Sequence, residues 1–194
     1  DELTVYIGLN ASKDTGLEVE TDYTFTGSDV ADDNVYARWV DKFGMEESKI
    51  TLDLGHGTNT FVNNFPPRKL PTEGGILDYI GGDGDDTLTM YSYTTSKGTT
   101  KINLGNGTNT VTMGDYAGSH GGTMEIKGGT GVDSISLRGF AGYETGGLEV
   151  YLGADSSADE VLLLGHVAAS GTGSSVTKAG QVEIHDFDPS EDKI

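Results

Sequence analysis

The sequence predicts an all-β fold, a right-handed parallel β-solenoid of about seven coils with two strands per coil. Three observations carry this. Short runs such as "LTVYIG", "TLTMYSY" and "LEVYLG" alternate apolar and polar residues, and no stretch has a helical period. Glycine makes up 30 of 194 residues without the strict three-residue period of collagen. A motif of glycines and acids recurs along the whole chain at the interval of one supersecondary unit.

The motif is clearest in "LGHGTNTF" (54–61), "GGDGDDTL" (81–88), "LGNGTNTV" (104–111) and "GGTGVDSI" (128–135). Each reads small or apolar, Gly, any, Gly, any, Asp or Asn, any, apolar. Its glycines are Gly55 and Gly57, Gly82 and Gly84, Gly105 and Gly107, Gly129 and Gly131. Its sixth position holds Asn59, Asp86, Asn109 and Asp133. "TGSDVADDNV" (26–35) and "LGADSSADEV" (152–161) fit with a two-residue insertion, ending on Asp33 and Asp159. Both carry an extra acid, Asp29 and Asp155, as "GGDGDDTL" does in Asp83. A degenerate copy, "FDPSEDKI" (187–194), places Asp192 sixth, and the opening "DEL" extends the series back to Asp1.

Between motifs the order is constant: a strand, a second glycine-rich turn, and a strand leading into the next motif. One strand pair cannot bury its apolar face alone, so the coils must stack, with parallel strands about 4.8 Å apart. The right hand follows from the general rule for parallel crossovers. The eighth positions Leu3, Val35, Phe61, Leu88, Val111, Ile135 and Val161 should point inward, as should the tenth positions Val5, Met90, Met113, Leu137 and Leu163. Ile102, Ile126 and Val150 should supply the facing layer.

Stacking also sets each acidic turn above the last. A single such turn reads equally well as a solvated Asx/Gly turn. A column of unpaired carboxylates a few ångströms apart is unfavourable, and 31 acids face only 12 lysines and arginines. A hard divalent cation between turns resolves the clash. Calcium takes six to eight oxygens from carboxylates and carbonyls. With no cysteine and four scattered histidines, zinc and copper are disfavoured.

These repeats resemble the RTX, or haemolysin-type calcium-binding, family, which builds a parallel β-roll. "GGDGDDTL" and "GGTGVDSI" match its motif in full; "LGHGTNTF" and "LGNGTNTV" match with Leu for the first Gly and Asn for Asp. "IHDFDPSEDKI" is similar to the segment that often ends such arrays. The resemblance implies calcium ligated by the sixth-position side chains and by carbonyls of the first and third motif residues. It also implies a chain unfolded in low cytosolic calcium, exported in one step, and folded outside. The coils here exceed the family's common length of about eighteen residues, and the opposite turns "DYAGSHGG", "FAGYETGG" and "TTSKGT" lack the motif. One row of calcium ions is therefore expected, not two, with weaker sites beside Asn59 and Asn109.

Residues 1–194 read as one domain, an excerpt of a longer secreted or cell-surface protein. The net charge of -19 disfavours nucleic acid and anionic membrane as partners, and no apolar run is long enough to span a bilayer. No G-x-S-x-G, HExxH or Walker motif occurs, and no EF-hand spacing, so no catalytic role is expected. His56, His120, His166 and His185 read as turn or surface residues. Two long loops, 38–49 and 63–75, hold Trp39, Phe43 and Phe65 and are expected to pack over one flank. Two alternatives to a purely structural calcium domain stand: a surface-layer, filament or adhesin module stacking end to end through calcium, and a carbohydrate-binding module. The second would use an outward set of Tyr36, Thr89, Tyr91, Tyr93 and Thr112.

Overall fold

The computed structural model describes residues 3–7, 23–27, 32–37, 49–64, 76–91, 98–114, 121–138, 146–164 and 181–194. They contain fourteen strands, numbered in chain order, and no helix. One sheet holds β1 (Leu3–Ile7), β3 (Asp33–Ala37), β5 (Thr60–Asn64), β7 (Thr87–Tyr91), β9 (Asn109–Met113), β11 (Asp133–Arg138) and β13 (Glu160–Leu164), in that spatial order. The other holds β2 (Tyr23–Thr26), β4 (Lys49–Asp53), β6 (Ile76–Ile80), β8 (Thr99–Asn103), β10 (Thr123–Lys127), β12 (Gly147–Tyr151) and β14 (Gln181–His185). Within each sheet every strand pairs in parallel with the strand two further along the chain. This is a parallel β-solenoid. Successive strands alternate between the two sheets, so the chain must coil to return to each.

Register is held by side chains of one kind meeting in columns. Val35, Phe61, Leu88, Val111, Ile135 and Val161 are successive partners, each no more than 1% exposed. Met90, Met113 and Leu137 form the next inward column. Across the interior, Leu52, Tyr79, Ile102, Ile126 and Val150 make the facing layer. Full burial of each such side chain is worth about 1.5–3 kcal/mol. Because each coil contacts only its neighbours, stability accumulates coil by coil.

The pairing corrects the expectation at the N-terminal strand. Leu3 lies opposite Asp33, and Val5 opposite Val35. The eighth-position register therefore belongs to Val5, not Leu3, and the sixth-position register to Leu3, not Asp1. A shift of two residues keeps the same side chains on the same face, so the alternation in "LTVYI" could not distinguish the two registers.

Lys49 opens β4, and Asn63 and Asn64 close β5, so the two predicted loops are shorter than 38–49 and 63–75. Their remaining residues, with Trp39, Phe43 and Phe65, lie outside the described residues, as do Asp29, Tyr93 and most of the opposite turns. Tyr36, Thr89 and Thr112 share one half-buried outward column with Val62. At the far end, residues 192–194 run beside β13: the Val161 N–H donates to the Lys193 carbonyl, and the Lys193 N–H to the Asp159 carbonyl, both at 2.8 Å.

Candidate metal centre

The motif turns leave β2, β4, β6, β8, β10 and β12 and enter β3, β5, β7, β9, β11 and β13. Their first positions form a continuous column. The N–H of Gly27 donates to Asp53 O, Leu54 to Ile80 O, Gly81 to Asn103 O, Leu104 to Lys127 O, Gly128 to Tyr151 O and Leu152 to His185 O. Gly27, not Thr26, thus heads the first turn, which holds one extra residue instead of two. The inserted residue had concealed the glycine's equivalence.

At the second and fourth positions the coils touch through backbone alone. A Cβ on Gly82 would strike the Gly55 carbonyl, and one on Gly84 the Gly57 carbonyl. Both glycines have positive φ, 87° and 142°, so no other residue fits without strain. Gly105, Gly107, Gly129 and Gly131 stand in the same relation to the turn before them. Hydrogen bonds lock the stack. The Gly57, Gly84 and Gly107 N–H groups donate to the carbonyls of Asp83, Asn106 and Thr130, each at 2.9 Å. The third-position carbonyls expected to be ligands therefore already accept a hydrogen bond from the neighbouring coil.

The sixth-position side chains turn inward. Asp33, Asn59, Asp86, Asn109, Asp133 and Asp159 are all 0–2% exposed. They form a ladder in which, from Asn59 onward, each Oδ1 accepts from the preceding coil. The N–H of Asp33 donates to Asn59, of Asn59 to Asp86, of Asp86 to Asn109, of Asp133 to Asp159 and of Asp159 to Asp192, at 2.8–3.0 Å. At the remaining rung the Asn109 Nδ2 donates to Asp133 Oδ1 at 2.9 Å. Asp192 is filled on both oxygens, since its Oδ2 accepts the Asp188 N–H at 2.8 Å.

The second oxygens of Asp86 and Asp133 differ. Each Oδ2 is buried with no hydrogen-bond partner. Asp86 Oδ2 and the Leu104 carbonyl converge on the face of Gly81, where both would collide with a Cβ; Asp133 Oδ2 and the Leu152 carbonyl do the same at Gly128. Asp33 Oδ2 and the Leu54 carbonyl meet at Gly27 in the same way. Two acceptors thus face one small space. Burial pushes the Asp86 and Asp133 carboxyls up to about 7, against hydrogen bonds from Asn59 and Asn109 that lower them. Burial also lifts Asp159, to about 6.

The additional acids behave otherwise. Asp83 lies on the outer crest, where its Oδ1 accepts from Asn106 Nδ2 at 2.6 Å and its Oδ2 is 3.2 Å from His56 Nδ1. Asp155 accepts the Ser157 and Gly131 N–H groups at 2.7 and 2.8 Å, and the Ser157 bond foremost holds its carboxyl below the usual range. Asp32 and Asp85, which the motif leaves as any residue, accept the N–H of Thr58 and Thr108.

No family model matches the chain, and neither does a curated protein or a solved structure. Among the described residues no three His, Asp or Glu side chains gather as a metal cluster. The oxygens that converge at Gly27, Gly81 and Gly128 are one aspartate Oδ2 and one backbone carbonyl each. An all-oxygen donor pair of this kind suits a hard cation. The Leu54, Leu104 and Leu152 carbonyls belong to first positions of the motif. Their meeting with an aspartate of the preceding coil depends on stacking, which the sequence leaves implicit.

Proposed function

We propose that this chain is a calcium-binding domain that folds with its ions and forms a structural part of a secreted or cell-surface bacterial protein. The observation that carries this reading is the pair of buried, unpartnered oxygens Asp86 Oδ2 and Asp133 Oδ2, each directed at a space shared with a carbonyl. A carboxylate facing a carbonyl repels it; a proton or a cation between them reverses the sign. The donor set is all oxygen, which favours calcium among divalent ions. Asp86 with the Leu104 carbonyl and Asp133 with the Leu152 carbonyl would be the first ligands. The ions would cancel repulsion in the ladder, so binding free energy becomes folding free energy. The low-calcium cytosol would then keep the chain open and the exterior would close it. The reading includes no catalytic step.

Circular dichroism during a calcium titration tests this. The β-sheet signal should be weak in EDTA and rise cooperatively with calcium. Equal strand content in EDTA and calcium, with no transition, would remove the proposal.

A further inference from the structure

The turns are not equivalent. First and sixth positions vary together: Gly27 with Asp33, Leu54 with Asn59, Gly81 with Asp86, Leu104 with Asn109, and Gly128 with Asp133. Glycine–aspartate coils alternate with leucine–asparagine coils, and only Leu152 with Asp159 departs. The first position decides where the second side-chain atom can lie. In a glycine–aspartate coil the carboxylate Oδ2 occupies the place that the first-position Cβ would take. With leucine there, the oxygen has no room, and Leu54 and Leu104 are fully buried.

The gaps between coils therefore alternate in chemistry. Above Asp86 and above Asp133, the Oδ2 and the next coil's Leu104 or Leu152 carbonyl are both acceptors, and Asp86 and Asp133 are 1% and 0% exposed. In the gap between Asn109 and Asp133, the Asn109 Nδ2 donates to Asp133 Oδ1 at 2.9 Å. In the gap between Asn59 and Asp86, the Asn59 Nδ2 lies 3.4 Å from both the Gly57 and Gly81 carbonyls. An amide NH₂ thus supplies positive hydrogens in one class of gap, and in the other no donor reaches Asp86 Oδ2 or Asp133 Oδ2.

We infer that the metal row is half-filled by design: cations enter only the gaps beside Gly81 and Gly128, while the amides of Asn59 and Asn109 take the cation's place in the gaps between. This rests on the calcium reading above and refines it to a two-coil repeat. It departs from one ion per turn with weakened sites beside asparagine: the asparagine gaps hold none.

Anomalous diffraction from wild-type crystals grown in calcium chloride tests the pattern. Peaks are expected beside Gly81 and Gly128, with none between Asn109 and Asp133 or between Asn59 and Asp86. Peaks in every gap would overturn the alternation and leave calcium binding intact. No peak in any gap, with no ion counted by mass spectrometry, would overturn both. Ion counting on variants gives a second measure. Asp86→Asn should lose one ion relative to wild type. The double change Leu104→Gly with Asn109→Asp converts one coil class into the other and should gain one. An unchanged count in Asp86→Asn would contradict the assignment.

Discussion

Asp86 and Asp83 sit three residues apart in one turn and have opposite surroundings. Asp83 is on the crest, its side chain 58% exposed, with an asparagine and a histidine beside it. Asp86 is 1% exposed, with one oxygen in the ladder and one facing a carbonyl. Water and neighbouring dipoles settle the charge of the first. The second has only a proton or a cation to settle it. An acidic turn is therefore not one feature. Its crest contributes solubility and its inner column contributes the demand for a counter-charge.

The largest break in that comparison should come from the glycines that let the inner column form. Gly82→Ala forces a side chain into positive φ, worth roughly 1–2 kcal/mol, and against the backbone of Gly55, which cannot move aside. Thermal unfolding in calcium should show Tm lowered by about 4–8 °C, since 1 kcal/mol shifts a chain of this size by about 2–4 °C.

The next effect reverses sign with the ion. In EDTA, Asp86→Asn removes a buried uncompensated carboxylate and supplies a donor beside the Leu104 carbonyl. The weak β-sheet signal in EDTA should rise, since about 1 kcal/mol raises the folded-to-unfolded ratio roughly five-fold. In saturating calcium the same change removes a ligand, and Tm should fall below wild type. Asp83→Asn, by contrast, should alter stability by less than about 0.5 kcal/mol in either condition, as surface substitutions do. If the two aspartates responded alike, the distinction between crest and column would fail.

Acid should sharpen the contrast further. Burial raises Asp86 and Asp133 to about 7 in the fold, above their ordinary value of 3.8. Between those limits the calcium-free fold binds protons that the unfolded chain does not. Its stability should therefore increase as pH falls from 7 toward 4 and be lost as pH rises through 7. Calcium needs the ionised form, so its apparent affinity should weaken below pH 7. Isothermal calorimetry at pH 8 and pH 6 would measure the difference.

Much of this was legible in the sequence, for identifiable reasons. The inward columns from Val35 to Val161 followed from strict alternation anchored by glycine pairs. The sixth-position series followed from the motif. The register of β1 did not, because a shift of two residues leaves the facing unchanged. Gly27 was hidden by one inserted residue. The co-variation of Gly with Asp and Leu with Asn was present in the strings "GGDGDD" and "LGNGTN". Its meaning depended on where Asp86 Oδ2 and Asn109 Nδ2 point, and aspartate and asparagine have the same shape.

Residues 192–194, lying along the outside of β13, have a consequence of their own. A solenoid of flat parallel ladders presents unpaired N–H and C=O groups at its last rung, an open template for another chain. The Lys193 backbone occupies two of those groups, lying in parallel register opposite Glu160. A segment laid over such a border satisfies these groups and leaves fewer of them open for another strand to pair with.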